Sequence, residues 1–469
     1  SDWIVGGLNF ELKLAKGLTF KPSLAIDFMS SENSIWYPAS IGKNRTDSEA
    51  STTMTRKLMW INENILTYQK EFGDHNISAV GGVTIQSNQL NKLYTSAYHF
   101  ATESLPSING GVVNGGSYDK TEDRMLSYIA RLTYDYKRKY MIQGVFRADG
   151  SSRFGKNNKY GYFPSISAGW AMTEEKFMKP LKKVLSELKL RGSFGLSGNN
   201  AIGDYNYETK MSQQSYIVDG SVVSGWAPSN IANPDLKWEV KRTFNAGIDA
   251  GFFDNRFILA VDYYNSKTDD MLYLYDVSVP PFAYNKMLAN LGSMRNSGVE
   301  LGIGVTPLRT KDMELNINVN VTFQRNKLLS LSGYYKGEYM SAPEYTSISD
   351  LNGAGFHGGY NHIVYQMVGQ PLGVFYLPKC TGLVSDGNGG YKYEIEDLNG
   401  NGVSLEDGED RYIAGQAMPK TLLGSNISFR YKQFDLSVQI NGAFGHKIYN
   451  GTSLTYMNMD IFPDYNVLR

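Results

Sequence analysis

Between Met313 and Phe323 the chain alternates without a break. Met313, Leu315, Ile317, Val319, Val321 and Phe323 are apolar; Glu314, Asn316, Asn318, Asn320, Thr322 and Gln324 are polar. Successive side chains of a strand point to opposite faces, so this run makes a ribbon with one oily side and one wet side. Globular strands are usually about 5–6 residues long. A tilted strand crossing a bilayer needs about 9–11, and this run is of that length. The pattern recurs in Leu8 to Leu14, Leu18 to Phe28, Phe244 to Ala250, Phe257 to Tyr263, Val299 to Val305 and Phe434 to Ile440.

Fourteen candidate strands follow: 3–14, 18–29, 56–69, 76–87, 125–136, 140–149, 164–173, 187–197, 239–250, 256–267, 297–306, 313–324, 422–431 and 434–444. Their connections alternate in length. Short ones are 15–17, 70–75, 137–139, 174–186, 251–255, 307–312 and 432–433; long ones are 30–55, 88–124, 150–163, 198–238, 268–296 and 325–421. A soluble sandwich has no reason to gather every long loop at one end. An outer-membrane barrel does, with short periplasmic turns and long extracellular loops. Phe177, Leu181, Val184 and Leu185 predict a short helical turn within 176–186. The expected fold class is all-β, an antiparallel transmembrane β-barrel.

Composition excludes several other classes. The 46 Lys and Arg balance 46 Asp and Glu, which argues against nucleic-acid binding. Charged residues are 20% and hydrophobic residues 42%, too apolar for a disordered chain. Cys380, the sole cysteine, excludes a disulfide scaffold and a Cys-rich zinc site. No run of 18 apolar residues exists to form a transmembrane helix. Tyr (33) exceeds Phe (22), as suits a barrel with interfacial aromatics. Ser1-Asp2-Trp3 carries no signal features, so we expect a removed signal or a piece of a longer protein.

A set of stretches resembles the SusC/RagA-type TonB-linked outer-membrane transporters of Bacteroidetes. These are Arg147-Ala148-Asp149-Gly150-Ser151-Ser152-Arg153-Phe154-Gly155, Gly161-Tyr162-Phe163-Pro164-Ser165, Gly169-Trp170 and Leu190-Arg191-Gly192-Ser193-Phe194-Gly195 with Ser197-Gly198-Asn199. Further along stand Asn233-Pro234-Asp235-Leu236-Lys237-Trp238-Glu239, Asp262-Tyr263-Tyr264-Asn265, Asn290-Leu291-Gly292-Ser293-Met294-Arg295-Asn296-Ser297-Gly298-Val299-Glu300 and Gly369-Gln370-Pro371-Leu372-Gly373. Their order matches the family's, and they cover roughly 124–450; residues 1–123 fit by alternation only. The resemblance implies a barrel of about 22 strands around a plug, of which residues 1–469 would be an internal section without the plug domain or final strands. It further implies energised import across the outer membrane. A SusD-type lipoprotein lid would sit on the extracellular face, and TonB-ExbB-ExbD would act through parts outside this sequence. Membrane lipid and lipopolysaccharide would surround the barrel, the cargo would be glycan or peptide with glycan favoured, and no cofactor would be required.

Two kinds of candidate site stand out. Asp397, Asn399 and Asn401 occupy positions 1, 3 and 5 of a calcium loop; Gly402 is at 6, and Val403 offers a carbonyl at 7. Position 12 is Gly408 rather than Glu. Glu406, Asp407 or Asp410 would have to supply the closing carboxylate to a Ca2+ ion in loop 397–410; a solvated Asn- and Gly-rich turn is the competing reading. Family members often carry a similar acidic loop here. The ligand surface is expected among loop tyrosines: Tyr94 and Tyr98, Tyr205 and Tyr207, Tyr334 and Tyr335, and Tyr339 and Tyr345. Their faces can stack on sugars or peptide side chains and their hydroxyls can hydrogen-bond; packing at the membrane rim is the alternative. His357 and His362, which lack an accompanying carboxylate, read as ordinary loop residues.

No phosphate loop, nucleophile elbow or zinc-protease motif is present in the sequence, and no catalytic residue is expected. A passive porin and a secreted glycan-active enzyme remain the rival readings. The enzyme would require two carboxylates at reaction distance, and nothing selects such a pair. Loops 198–238 and 325–421 are the expected surfaces for lid and ligand.

Overall fold

The computed structural model describes residues 1–41, 47–277, 279, 284–343, 345–347, 363–402 and 410–456. Fifteen strands make the principal sheet, and they neighbour one another in chain order from Asp2–Asn9 to Phe434–Phe444, with the loop hairpins left out. Pairing is antiparallel, as short turns demand.

The alternation located the strands of the principal sheet, misjudged their lengths and missed the strands within loops 198–238 and 325–421. Predicted strands 18–29, 56–69, 76–87 and 125–136 are Leu18–Tyr37, Glu49–Phe72, His75–Tyr98 and Val112–Tyr136. The strand predicted at 256–267 is Phe257–Asp276, and that at 297–306 is Lys286–Arg309. Most of the growth of the first four lies at the end away from the short turns. There both faces meet polar surroundings, so pairing continues after the oily face has ended. Ladders such as Arg56↔Asn91 and Lys92↔Asp119 hold by backbone bonds between polar residues. The expected loops 30–55 and 88–124 are thus largely strand.

The first predicted strand, 3–14, is instead two, Asp2–Asn9 and Leu12–Ala15. Pro22 is the cause. Phe10 donates its N–H to the Pro22 carbonyl at 3.0 Å, but proline has no N–H to return, and the ladder breaks there. This split accounts for fifteen strands against the expected fourteen.

The short ends are tight turns. Gly73-Asp74 joins Phe72 to His75, and Lys432-Gln433 joins Tyr431 to Phe434. The first residue of each has positive φ, 57° for Gly73 and 54° for Lys432, as turns matched to strand twist require. The expected helical turn within 176–186 is present as the 3-10 segment Lys176–Leu181, preceded by another at Met172–Glu174.

The chain divides into two compact units. One comprises 1–168, 195–239 and 276–289; the other 169–194, 240–275 and 290–469. The first holds the longest ladders and a packed aromatic knot. Trp238 lies 5.3 Å from Phe154 and 5.5 Å from Phe163 between ring centres, and its indole N–H donates to the Lys159 carbonyl. Two glycines make room for Phe163: a Cβ on Gly198 would fall 2.0 Å from its ring, and one on Gly161 2.4 Å.

The second unit holds the ladder from Glu239–Phe252 to Phe434–Phe444 and most of loop 325–421. That loop folds on itself. Tyr345–Ser347, Val364–Met367, Val374–Pro378 and Arg411–Gln416 form a four-stranded sheet, and Cys380–Ser385 pairs with Tyr391–Ile395.

In both units the apolar face of the alternation is exposed. Leu24, Ile26, Leu132, Ile142 and Phe146 are exposed in the first; Phe244, Ile248, Tyr263, Phe323 and Leu436 in the second. Apolar exposure of this extent marks a face whose solvent is lipid.

Candidate functional site

The polar face of the second unit carries an ion cluster. Arg191, from the Leu-Arg-Gly-Ser-Phe-Gly stretch, reaches two carboxylates on neighbouring strands. Its Nε donates to Asp249 Oδ2 at 2.9 Å and its Nη2 to Asp249 Oδ1 at 3.1 Å; Nη1 and Nη2 donate to the two Asp262 oxygens at 2.5 Å each. Planar guanidinium matches a carboxylate at two points, which a lysine cannot do. Gly247 is the clearance for it, since a Cβ there would lie 2.7 Å from Arg191 Cζ. Thr243–Ser266, Thr306–Asn316 and Glu314–Arg430 bonds continue this wet face. Such a surface is polar and has no reacting geometry.

In the first unit, the stretch 147–155 is a docking platform for loop 198–238. Arg153 Nε donates to Asp204 at 2.8 Å and its Nη2 to Asp123 at 3.1 Å. Asn200 Nδ2 donates to Ser151 Oγ at 3.1 Å. Phe154 is fully buried, and Gly155 lets the Pro234 carbonyl approach to where a Cβ would be 2.7 Å away. Asn233 Nδ2 donates to the Leu288 carbonyl, and Asn158 Nδ2 to that of Asp235. The loop is therefore tied at its start and at its end. Between the ties stands the hairpin Met211–Val218 with Ser221–Pro228, closed by Asp219 and Gly220 at positive φ. Ile217, Val222 and Trp226 on it are exposed.

The expected tyrosines have different surroundings. Tyr98 donates to Glu49 at 3.2 Å, while Tyr94 is half-buried on the same strand. The Tyr205 hydroxyl accepts from the Glu122 N–H and donates to the Glu122 carbonyl, holding the loop rather than offering itself. Burial, with Glu208 beside it, pushes the Tyr207 hydroxyl up, so it stays a protonated donor. Tyr334 is 73% exposed and meets Tyr339, 61% exposed, edge to face at 5.2 Å. Tyr335 lies under the Lys336 ammonium. Tyr334, with Tyr339, is thus the expected position most open to ligand.

Loop 397–410 is described only in part, and Val403, Glu406, Asp407, His357 and His362 lie outside the described residues. Asp397 accepts from the N–H groups of Gly400 and Gly402 at 2.7 and 2.8 Å, and Asn399 Oδ1 from the Asn401 N–H. Asp410 Oδ1 accepts from the Leu398 N–H at 2.7 Å. Asp410 is fully buried, and its Oδ2 has no hydrogen-bond partner among the described residues. No group of three His, Cys, Asp or Glu side chains stands together among the described residues; the donor set here is two carboxylates with two amides.

Tyr345, one of the expected tyrosines, joins two that sequence reasoning missed, Tyr365 and Tyr376; their ring centres lie 5.4–5.9 Å apart, with Arg411 donating to the Tyr365 hydroxyl at 2.7 Å. No periodicity links residues brought together by a folded loop.

Comparison with known proteins agrees with this architecture. Residues 4–443 match the family described as TonB dependent receptor-like, beta-barrel. TonB-dependent receptor P3 of Formosa agariphila is 32% identical over 467 residues, 93% of this chain and 44% of that protein. TonB-dependent receptor SusC of Bacteroides thetaiotaomicron is 32% identical over 337 residues, 70% of this chain and 32% of that protein. The chain thus spans less than half the length of these relatives. The RagAB peptide transporter superposes with a TM-score of 0.75 at 23% identity, over 94% of this chain and 48% of that one. These are transporters of the outer membrane and not enzymes. A strand ladder with one lipid-ready face, one wet face and tight turns at one end is what that family builds, and this chain belongs to the TonB-dependent receptor-like β-barrel family, in its SusC/RagA branch.

Proposed function

We propose that the protein to which this chain belongs actively imports nutrient oligomers, glycans in preference to peptides. It would act with a SusD-type lipoprotein lid and draw energy through TonB-ExbB-ExbD. The observation that carries the reading is the tethered loop 198–238. Arg153, Asn200 and Asn233 fix both ends of a segment whose middle hairpin keeps Ile217, Val222 and Trp226 exposed. A loop held in place with its apolar tip free is suited to docking a protein. The exposed Tyr334–Tyr339 pair suits stacking on sugar faces. The test is uptake of fluorescent oligosaccharides and oligopeptides by cells carrying the full-length receptor, intact or lacking residues 211–228. Oligosaccharide uptake should stop when the proton gradient is collapsed and fall when the hairpin is removed. Uptake that survives collapse would mean a passive pore.

A calcium ion held by Asp397, Asn399, Asn401 and Asp410 is proposed on a separate observation, the buried Asp410 oxygen without a donor among the described residues. Hard oxygen donors at alternate positions suit that ion. Its role would be to hold loop 397–410 together.

A further inference from the structure

In the second unit, one cross-strand row contains Phe323, Thr421 and Phe444. The opposite row is Met313, Tyr431 and Phe434. The segments between them, Thr421–Tyr431 and Phe434–Phe444, are each 11 residues long. That is one tilted crossing, with aromatic girdles at both ends. The Phe323 row therefore marks the outer edge of the hydrocarbon layer.

Cations gather immediately beyond it. The ladder continues regularly past Phe323, with Ser297 opposite Arg325 and Arg295 opposite Lys327. Because side chains alternate, Arg325 and Lys327 keep the lipid-facing register of Val321 and Phe323. Arg295, as the cross-strand partner of Lys327, shares that face. Like charges directly opposite each other destabilise a sheet. The same strand end borders a cavity of 720 Å³ whose lining also includes Lys420, His446 and Lys447 and contains no carboxylate. None of Arg295, Arg325, Lys327, Lys420 and Lys447 has an ion-pair partner among the described residues, and the buried His446 Nδ1 lacks a hydrogen-bond partner there. Charges on the neighbouring strands are matched: Arg242 and Lys267 share Asp269.

We propose that this cluster binds the phosphate of an outer-leaflet lipid headgroup, anchoring the receptor wall to one anionic glycolipid. Depth decides the source. Arg295, Arg325 and Lys327 stand where headgroups lie and keep the lipid-facing register, while a soluble anion would have no reason to be met there.

The full-length receptor, purified in mild detergent, would be examined by native mass spectrometry with a phosphorylated lipid A glycolipid, its dephosphorylated form, or inorganic phosphate. The phosphorylated glycolipid should remain bound. Its retention should fall about tenfold in Arg325→Gln/Lys327→Gln, from the loss of two headgroup contacts. The single variant Lys327→Gln should show a smaller fall in the same direction, should the double variant fold poorly. Equal retention of the dephosphorylated lipid, unchanged retention in both variants, or displacement by inorganic phosphate at equal concentration would each overturn the proposal.

Discussion

Replacing Arg191 with Met should destabilise the barrel wall more than replacing all three members of its cluster. The guanidinium makes four hydrogen bonds of 2.5–3.1 Å to Asp249 and Asp262. Its removal leaves two carboxylates facing each other on adjacent strands, since Asp249 sits one step from Gly247, whose register partner is Asp262. Breaking a buried pair by removing one partner costs about 3–5 kcal/mol. Here Arg191 is 32% exposed, Asp249 31% and Asp262 15%, so water recovers part of that, and we expect about 1–3 kcal/mol. The triple variant Arg191→Met/Asp249→Asn/Asp262→Asn removes the stranded charge and should return to within about 1 kcal/mol of the parent. The assay is guanidinium unfolding of the full-length receptor in lipid vesicles, followed by tryptophan fluorescence. A single variant within about 0.5 kcal/mol of the parent, or a triple variant less stable than the single, would refute the reasoning.

Four further outcomes are expected. Arg153→Gln should loosen loop 198–238 and raise protease cleavage between Ala201 and Lys210, because Asp123 and Asp204 lose their shared cation; an unchanged digestion pattern would count against the platform. Gly198→Ala should cost about 1–3 kcal/mol by forcing a methyl group against Phe163, seen as a lower unfolding midpoint. Tyr334→Ala should weaken oligosaccharide binding by about 1 kcal/mol in calorimetry, whereas Tyr205→Ala should act mainly through loop order. Calcium titrated into the full-length receptor should bind and protect loop 397–410 from proteolysis, and Asp410→Asn should abolish the protection; protection that is independent of calcium would remove that site.

Much of the wall was legible because lipid on one side and water on the other write a period of two into each strand. Met313–Phe323 could hardly be anything else, and its register with Thr421–Tyr431 follows from that pattern. The strand extensions were not legible. Residues such as Asn91, Lys92 and Asp119 are polar on both faces and carry no period. Pro22 was visible, yet its effect on Phe10 depended on which strand lay beside it.

The sites divide in the same way. Asp397, Asn399 and Asn401 are local, and their backbone bonds could be anticipated from Asx chemistry. Arg191 lies 58 residues from Asp249 and 71 from Asp262, and no one-dimensional pattern joins them. Nor could the unpaired cations beyond Phe323 be told from ordinary surface charge until the ladder set their face and depth. The amino-acid sequence by itself determined what is periodic: the strands, their oily and wet faces, the asymmetry of the turns and the family. The tertiary structure alone decided which charges meet, which loops are tethered and which side chains stay free, because those depend on contacts between residues far apart in the chain.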